Sequence, residues 1–107
     1  MTGQSPPPFT LIISGYIGSE LDRLGRKAAS LQLLEPYLAA LRTMHESLSH
    51  DPANWGEYKN HLPDLALNVY HRVQGMISIH YAVDESRRRV YVTRVAPLPS
   101  SPLGQGE

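Results

Sequence analysis

The run Leu65–Val95, LALNVYHRVQGMISIHYAVDESRRRVYVTRV, decides the fold, because apolar and polar residues alternate through three segments separated by turn chemistry. That pattern is a β-meander. In the first segment Leu65, Leu67, Val69 and Val73 share a parity with His71, while Ala66, Asn68, Tyr70 and Arg72 take the other face. In the second, Ile77, Ile79, Tyr81 and Val83 oppose Met76, Ser78, His80 and Ala82. One face is core and the other is wet.

Parity also governs register, since a slip of one residue exchanges the faces. A two-residue Gln74-Gly75 loop would put wet Arg72 opposite dry Ile77. A three-residue loop, Gln74 to Met76, instead sets Val73 opposite Ile77, Arg72 opposite Ser78 and Tyr70 opposite His80, and is preferred. The last segment is ambiguous: Val90/Val92/Arg94 and Tyr91/Thr93/Val95 are both acceptable core sets. Under the second choice Arg94 falls opposite His80, which gathers Tyr70, Arg72, His80 and Arg94 on one face.

Outward from the meander, residues 1–8 end in three prolines and read as a disordered N-terminal arm. Phe9–Ser14 is a first strand, apolar enough to suggest a place inside the sheet, and it is expected to join the meander at an edge or beside its last strand. From Tyr16 the period becomes helical: Ile17, Leu21, Leu24, Ala28 and Leu31 form one stripe, with Ser19 to Asp22 as cap-like residues at its start. Pro36 opens a second helix with its stripe on Tyr37, Leu38, Leu41, Met44 and Leu48, and Asp51-Pro52 ends it. Whether the chain breaks between the two helices near Leu34 stays open. Ala53–Pro63 reads as a loop in which Trp55 is pinned to the helices, and residues 99–107 as a disordered tail. The expected architecture for residues 9–98 is one α+β domain, a two-layer sandwich of order β-α-α-β-β-β with a helix pair covering one face of an antiparallel meander sheet.

At 107 residues the chain has room for one domain and a real core. No apolar run approaches the roughly 18 residues of a membrane helix, and the absence of cysteine fits a reducing cytoplasm. The formal net charge is zero, so there is no global basic field of the kind that steers nucleic-acid binders. Any such site must be local.

Three stretches carry a family resemblance: SLSHDP (47–52), LNVYHRVQGMISIHYAVDE (67–85) and RRVYVTRVAPL (88–98). Together they resemble the RelE/ParE superfamily of toxins from type II toxin–antitoxin systems, with Gly75 at the hairpin glycine, Tyr81 at the second-strand tyrosine, and Val90, Val92 and Val95 on the last strand. The resemblance implies a cognate antitoxin as partner, a target in ribosome-bound mRNA or DNA gyrase, and no cofactor. It also implies basic groups on the sheet, and here the sequence departs from the family. Ser78 stands where the pattern has an arginine, and Pro97 and Leu98 where it closes with His-Arg.

RNA cleavage through the 2′-hydroxyl needs a proton acceptor, a proton donor and a cation for the phosphorane. His80 or His71 can supply the first two, Arg72 and Arg94 the clamp, and Tyr70 a stacking surface for a base. The plainer account is that Tyr70, Arg72 and His80 are the solvated face of a sheet, and that His71 is a half-buried core histidine. Arg87–Arg89 fit a solvated turn, and His45, Glu46 and His50 lack the i, i+4 spacing of a helical zinc site. Two functional readings remain: an endoribonuclease-like toxin, and a non-catalytic interaction protein of the same fold. A homodimer through an exposed strand edge is open to either.

Overall fold

The computed structural model describes residues 7–105. The proposed arm falls largely on residues 1–6, outside the described residues. The order is β1 (Thr10–Ile13), α1 (Gly15–Ser30), α2 (Leu34–His50), a one-turn helix α3 (Pro52–Trp55), then β2 (Glu57–Leu62), β3 (Leu67–Gln74), β4 (Ile77–Asp84) and β5 (Arg89–Pro97), closed by a 3₁₀ turn at Pro102–Gly104. The five strands form one sheet in the order β1-β5-β4-β3-β2, antiparallel except that β1 runs parallel to β5. This is the expected α+β sandwich with one strand more than expected.

Serine at position 14 starts α1, its hydroxyl accepting from the Ile17 amide at 3.3 Å, so the cap lies five residues before the Ser19 expected from sequence. Ile17, Leu24 and Ala28 are its buried stripe. A real break follows, with Gln32 at φ 60°, and Pro36 sits in the first turn of α2. Gly25 brings the helices together, because a Cβ there would stand 3.3 Å from the Tyr37 ring. The Tyr37 hydroxyl donates to the Leu21 carbonyl at 2.6 Å, and burial, then the charge of Asp22, pushes it up to about 12.

The core lies between the helices and β4–β5. Leu24, Ala28, Met44 and Leu48 meet Ile77, Ile79, Tyr81 and Val83, joined by Val90, Val92 and Val95. The first strand takes the expected place at an edge, beside β5, and not the interior one its apolarity suggests; that apolarity reflects its closeness to the helices, with Leu11 packed on the core and Ile13 left half-exposed.

Three corrections concern the meander and the segments that flank it. The β3–β4 loop is Gly75-Met76, with Gln74 paired to Ile77 and Gly75 at φ 62°, a first turn position that glycine fills cheaply. Arg72 therefore faces Ile79, and Tyr70 faces Tyr81. This inverts the parity expected for β3: Tyr70 is 6% exposed and Val73 46%. Second, the segment expected as loop holds β2, whose six residues are all exposed and whose sequence EYKNHL has no apolar alternation to betray it. Backbone pairing with β3 makes it a strand. Third, residues 99–105 form a turn anchored to the domain: Leu103 is fully buried, and the Lys27 ammonium donates to the Gln105 carbonyl at 2.7 Å.

The turn after β4 is held by Asp84, 2% exposed. Burial alone would raise its carboxyl, but hydrogen bonds from the Arg87 amide, the Ser86 hydroxyl and the Arg87 guanidinium, with the latter's charge, hold it below its ordinary value. A carboxyl lowered in the folded state adds stability above its unfolded value, and this is lost as pH falls through the folded one. Thermal melts should therefore drop as pH falls below about 4, and Asp84→Asn should flatten that part of the profile. An unchanged acid limb in the variant would refute the assignment.

Candidate functional site

The register places four chemically active side chains in one lateral row across four strands: Glu57 opposite His71, His71 opposite His80, and His80 opposite Arg94. Because Ile79 and Tyr81 point into the helices, His80 between them points to the uncovered face. The two imidazole centroids are 4.5 Å apart. Lys59, two residues on from Glu57, closes an ion pair with it at 2.7 Å.

Arg94 reaches this face through a β-bulge. Tyr81 pairs with Val92 and His80 with Arg94, leaving Thr93 as the extra residue, its hydroxyl donating to the His80 carbonyl at 3.1 Å. Val90 and Val92 are thus core before the bulge and Val95 after it. Each of the two parities read from sequence holds for half of β5.

Of the residues expected to share a face, His80 and Arg94 are together, while Tyr70 and Arg72 lie on the other side of the sheet. Tyr70 stacks on Tyr81 at 5.3 Å with planes 12° apart, and burial, then Glu85 and Tyr58, raises its hydroxyl. A ring so enclosed is no platform for a base. Arg72 lies over the Trp55 ring at 5.3 Å and donates to the Trp55 carbonyl at 2.8 Å. Trp55 itself packs on Tyr81 at 5.9 Å, holding α3 against the sheet.

His71, a candidate acid or base that its expected parity turned toward the core, faces outward instead, and Glu57 and Lys59 of the expected loop join the row unforeseen. The missing signal was pairing Tyr70 with Tyr81: an aromatic pair on the core face would have turned His71 outward.

The electrostatics of the row are distinctive. Burial, then the charges of His71, Arg94 and Lys59, lowers His80 below its ordinary value and favours the neutral imidazole. The Glu57 carboxyl is lowered by its hydrogen bond and charge contact with Lys59, with a further contribution from His71. A neutral imidazole beside a second imidazole, flanked by a guanidinium and an ammonium, can accept a proton, return one, and hold an anion.

No family model matches the sequence, and no curated protein is similar to it. In three dimensions the chain is similar to one in the crystal structure of the toxin–antitoxin complex RelBE2 from Mycobacterium tuberculosis, at 19% identity, covering 89% of this chain and 97% of that one with a TM-score of 0.58. The likeness carries the backbone and its topology: this chain has a RelE-like fold.

Proposed function

We propose that the protein is the toxin of a toxin–antitoxin pair and cleaves mRNA on the ribosome through the open sheet face. The observation carrying this reading is the row His71–His80–Arg94, with its imidazoles 4.5 Å apart on the face the helices leave bare. In the reaction, neutral His80 takes the proton of a 2′-hydroxyl, whose oxygen attacks the adjacent phosphorus. The bond to the 5′-oxygen breaks, that oxygen takes a proton from His71, and a 2′,3′-cyclic phosphate remains. Arg94 and Lys59 offset the charge of the phosphorane. The RelE-like fold supports an antitoxin as partner, and the lack of cysteine supports a cytoplasmic setting.

A second reading, a non-catalytic protein of the same fold, draws on the surroundings of the row. On its two flanks stand Val73, Ser78 and Ala96, and Val69, Ala82 and Tyr91, none of them basic.

Induced expression in bacteria separates the readings. Wild type should arrest growth and fragment mRNA, and His71→Ala/His80→Ala should abolish both at equal soluble protein. Arg72→Ala, on the opposite face, should keep the arrest. General acid–base groups contribute about 10²–10⁴-fold each, so the loss should be complete on a growth assay. Arrest with intact mRNA would move the target to another molecule such as gyrase. Undisturbed growth with folded wild type would leave the non-catalytic reading.

A further inference from the structure

The same row has a second chemical capacity that does not depend on RNA. We infer that His71 and His80 form a two-histidine site for a divalent transition ion of tetragonal preference, Cu(II) foremost, with water completing the coordination.

The argument is geometric. The two residues are direct partners across β3 and β4, on strands inside the sheet, so their Cα positions are held by backbone pairing on both flanks. With metal–nitrogen bonds of about 2.0–2.1 Å, two imidazoles at a right angle on one ion have centroids roughly 4.5 Å apart, against roughly 5.2 Å on a tetrahedral ion. The observed separation is 4.5 Å. The right-angled arrangement is the one Cu(II) prefers, and Cu(II) also heads the affinity order for nitrogen sites.

The neighbourhood limits the site to two protein ligands. Among the described residues no group of three or more His, Cys, Asp or Glu converges on a metal position. Glu57, opposite His71, has its carboxylate engaged by Lys59. Arg94 lies beside His80 and opposes an incoming cation, so binding depends on the coordinate bonds rather than on a negative field. Neither histidine ring has a hydrogen-bond partner among the described contacts, unlike His61, whose Nδ1 lies 2.8 Å from the Asn68 side-chain oxygen. Turning the rings toward a metal breaks nothing that the structure records.

A metal seated there would occupy both imidazoles and so would silence the cleavage proposed above, but binding itself stands apart from that reading. Calorimetric titration of the whole chain with CuCl2, with EPR of the one-equivalent complex, tests it. The expected result is one strong equivalent with two nitrogen ligands, weakened roughly tenfold or more in His71→Ala and in His80→Ala, each showing one nitrogen fewer. His61→Ala should bind as wild type does. Circular dichroism guards against unfolding, and His71→Asn and His80→Asn, which keep size and polarity, should lose affinity likewise. Wild-type affinity in either histidine variant, or an equal loss in His61→Ala, would overturn the site.

Discussion

Replacing Tyr81 by alanine is expected to remove about 3–5 kcal/mol of stability, the range for deleting a large buried aromatic ring. Tyr81 is fully buried at the middle of β4 and packs between Trp55, at 5.9 Å, and Tyr70, at 5.3 Å. Its hydroxyl donates to the Pro52 carbonyl at 2.6 Å, and burial pushes it up to about 12. Thus the ring fills the core while its oxygen ties the start of α3 to the sheet. Tyr81→Phe separates the two roles: it keeps the ring and leaves a buried carbonyl unpaired, which costs about 1–3 kcal/mol. Urea denaturation of both variants gives the comparison. The surroundings leave little room to compensate, since a Cβ at Gly56 would come within 2.6 Å of the Tyr81 hydroxyl. An alanine variant within 1 kcal/mol or so of wild type would show that the stack is not the centre of the core.

Leu103→Ala is expected to cost about 2–5 kcal/mol, as for any buried leucine that leaves a cavity. Its side chain has no exposed surface, and the turn around it is tied at several points. The Ser101 hydroxyl donates to the Leu98 carbonyl at 2.8 Å, the Ser101 amide to the same oxygen at 3.0 Å, and Lys27 reaches Gln105 from α1. At Gly104 an added Cβ would collide with the Leu98 carbonyl, so only glycine closes this turn. Ending the chain at Leu98 should therefore lower the denaturation midpoint at least as much as Leu103→Ala does. A truncated chain as stable as the full one would restore the view of residues 99–105 as a dispensable tail.

The contrast between that tail and the meander shows what the sequence could reveal. Period-2 alternation in Ile77–Val83 announced β4 and its buried set, and the helical stripes announced α1 and α2, because each buries a regular face against a neighbour. Leu103 lacks a period. A single apolar residue between Pro102 and Gly104 looks the same whether it enters a core or waves in solvent. The strand at 57–62 was invisible for the opposite reason: it buries nothing, and its only warrant is pairing with β3. Site residues followed the same logic. Counting sets His80 and Arg94 opposite each other under one of the two parities open for β5, which holds only after the bulge, whereas assigning Gln74 to a turn it precedes puts Tyr70 and Arg72 on the wrong face.

The extra residue at Thr93 makes β5 keep two rhythms. Upstream, the inward beat falls on even numbers, Val90 and Val92; downstream it falls on the odd number of Val95. The outward aim of Arg94 is thus a matter of arithmetic, not of side-chain chemistry. If Thr93 were kept in regular alternation instead of bulging out, Arg94 would turn inward and Val95 outward. By passing over Thr93 in its pairing, β5 seats Val95 in the interior and sets Arg94 beside His80 on the exterior.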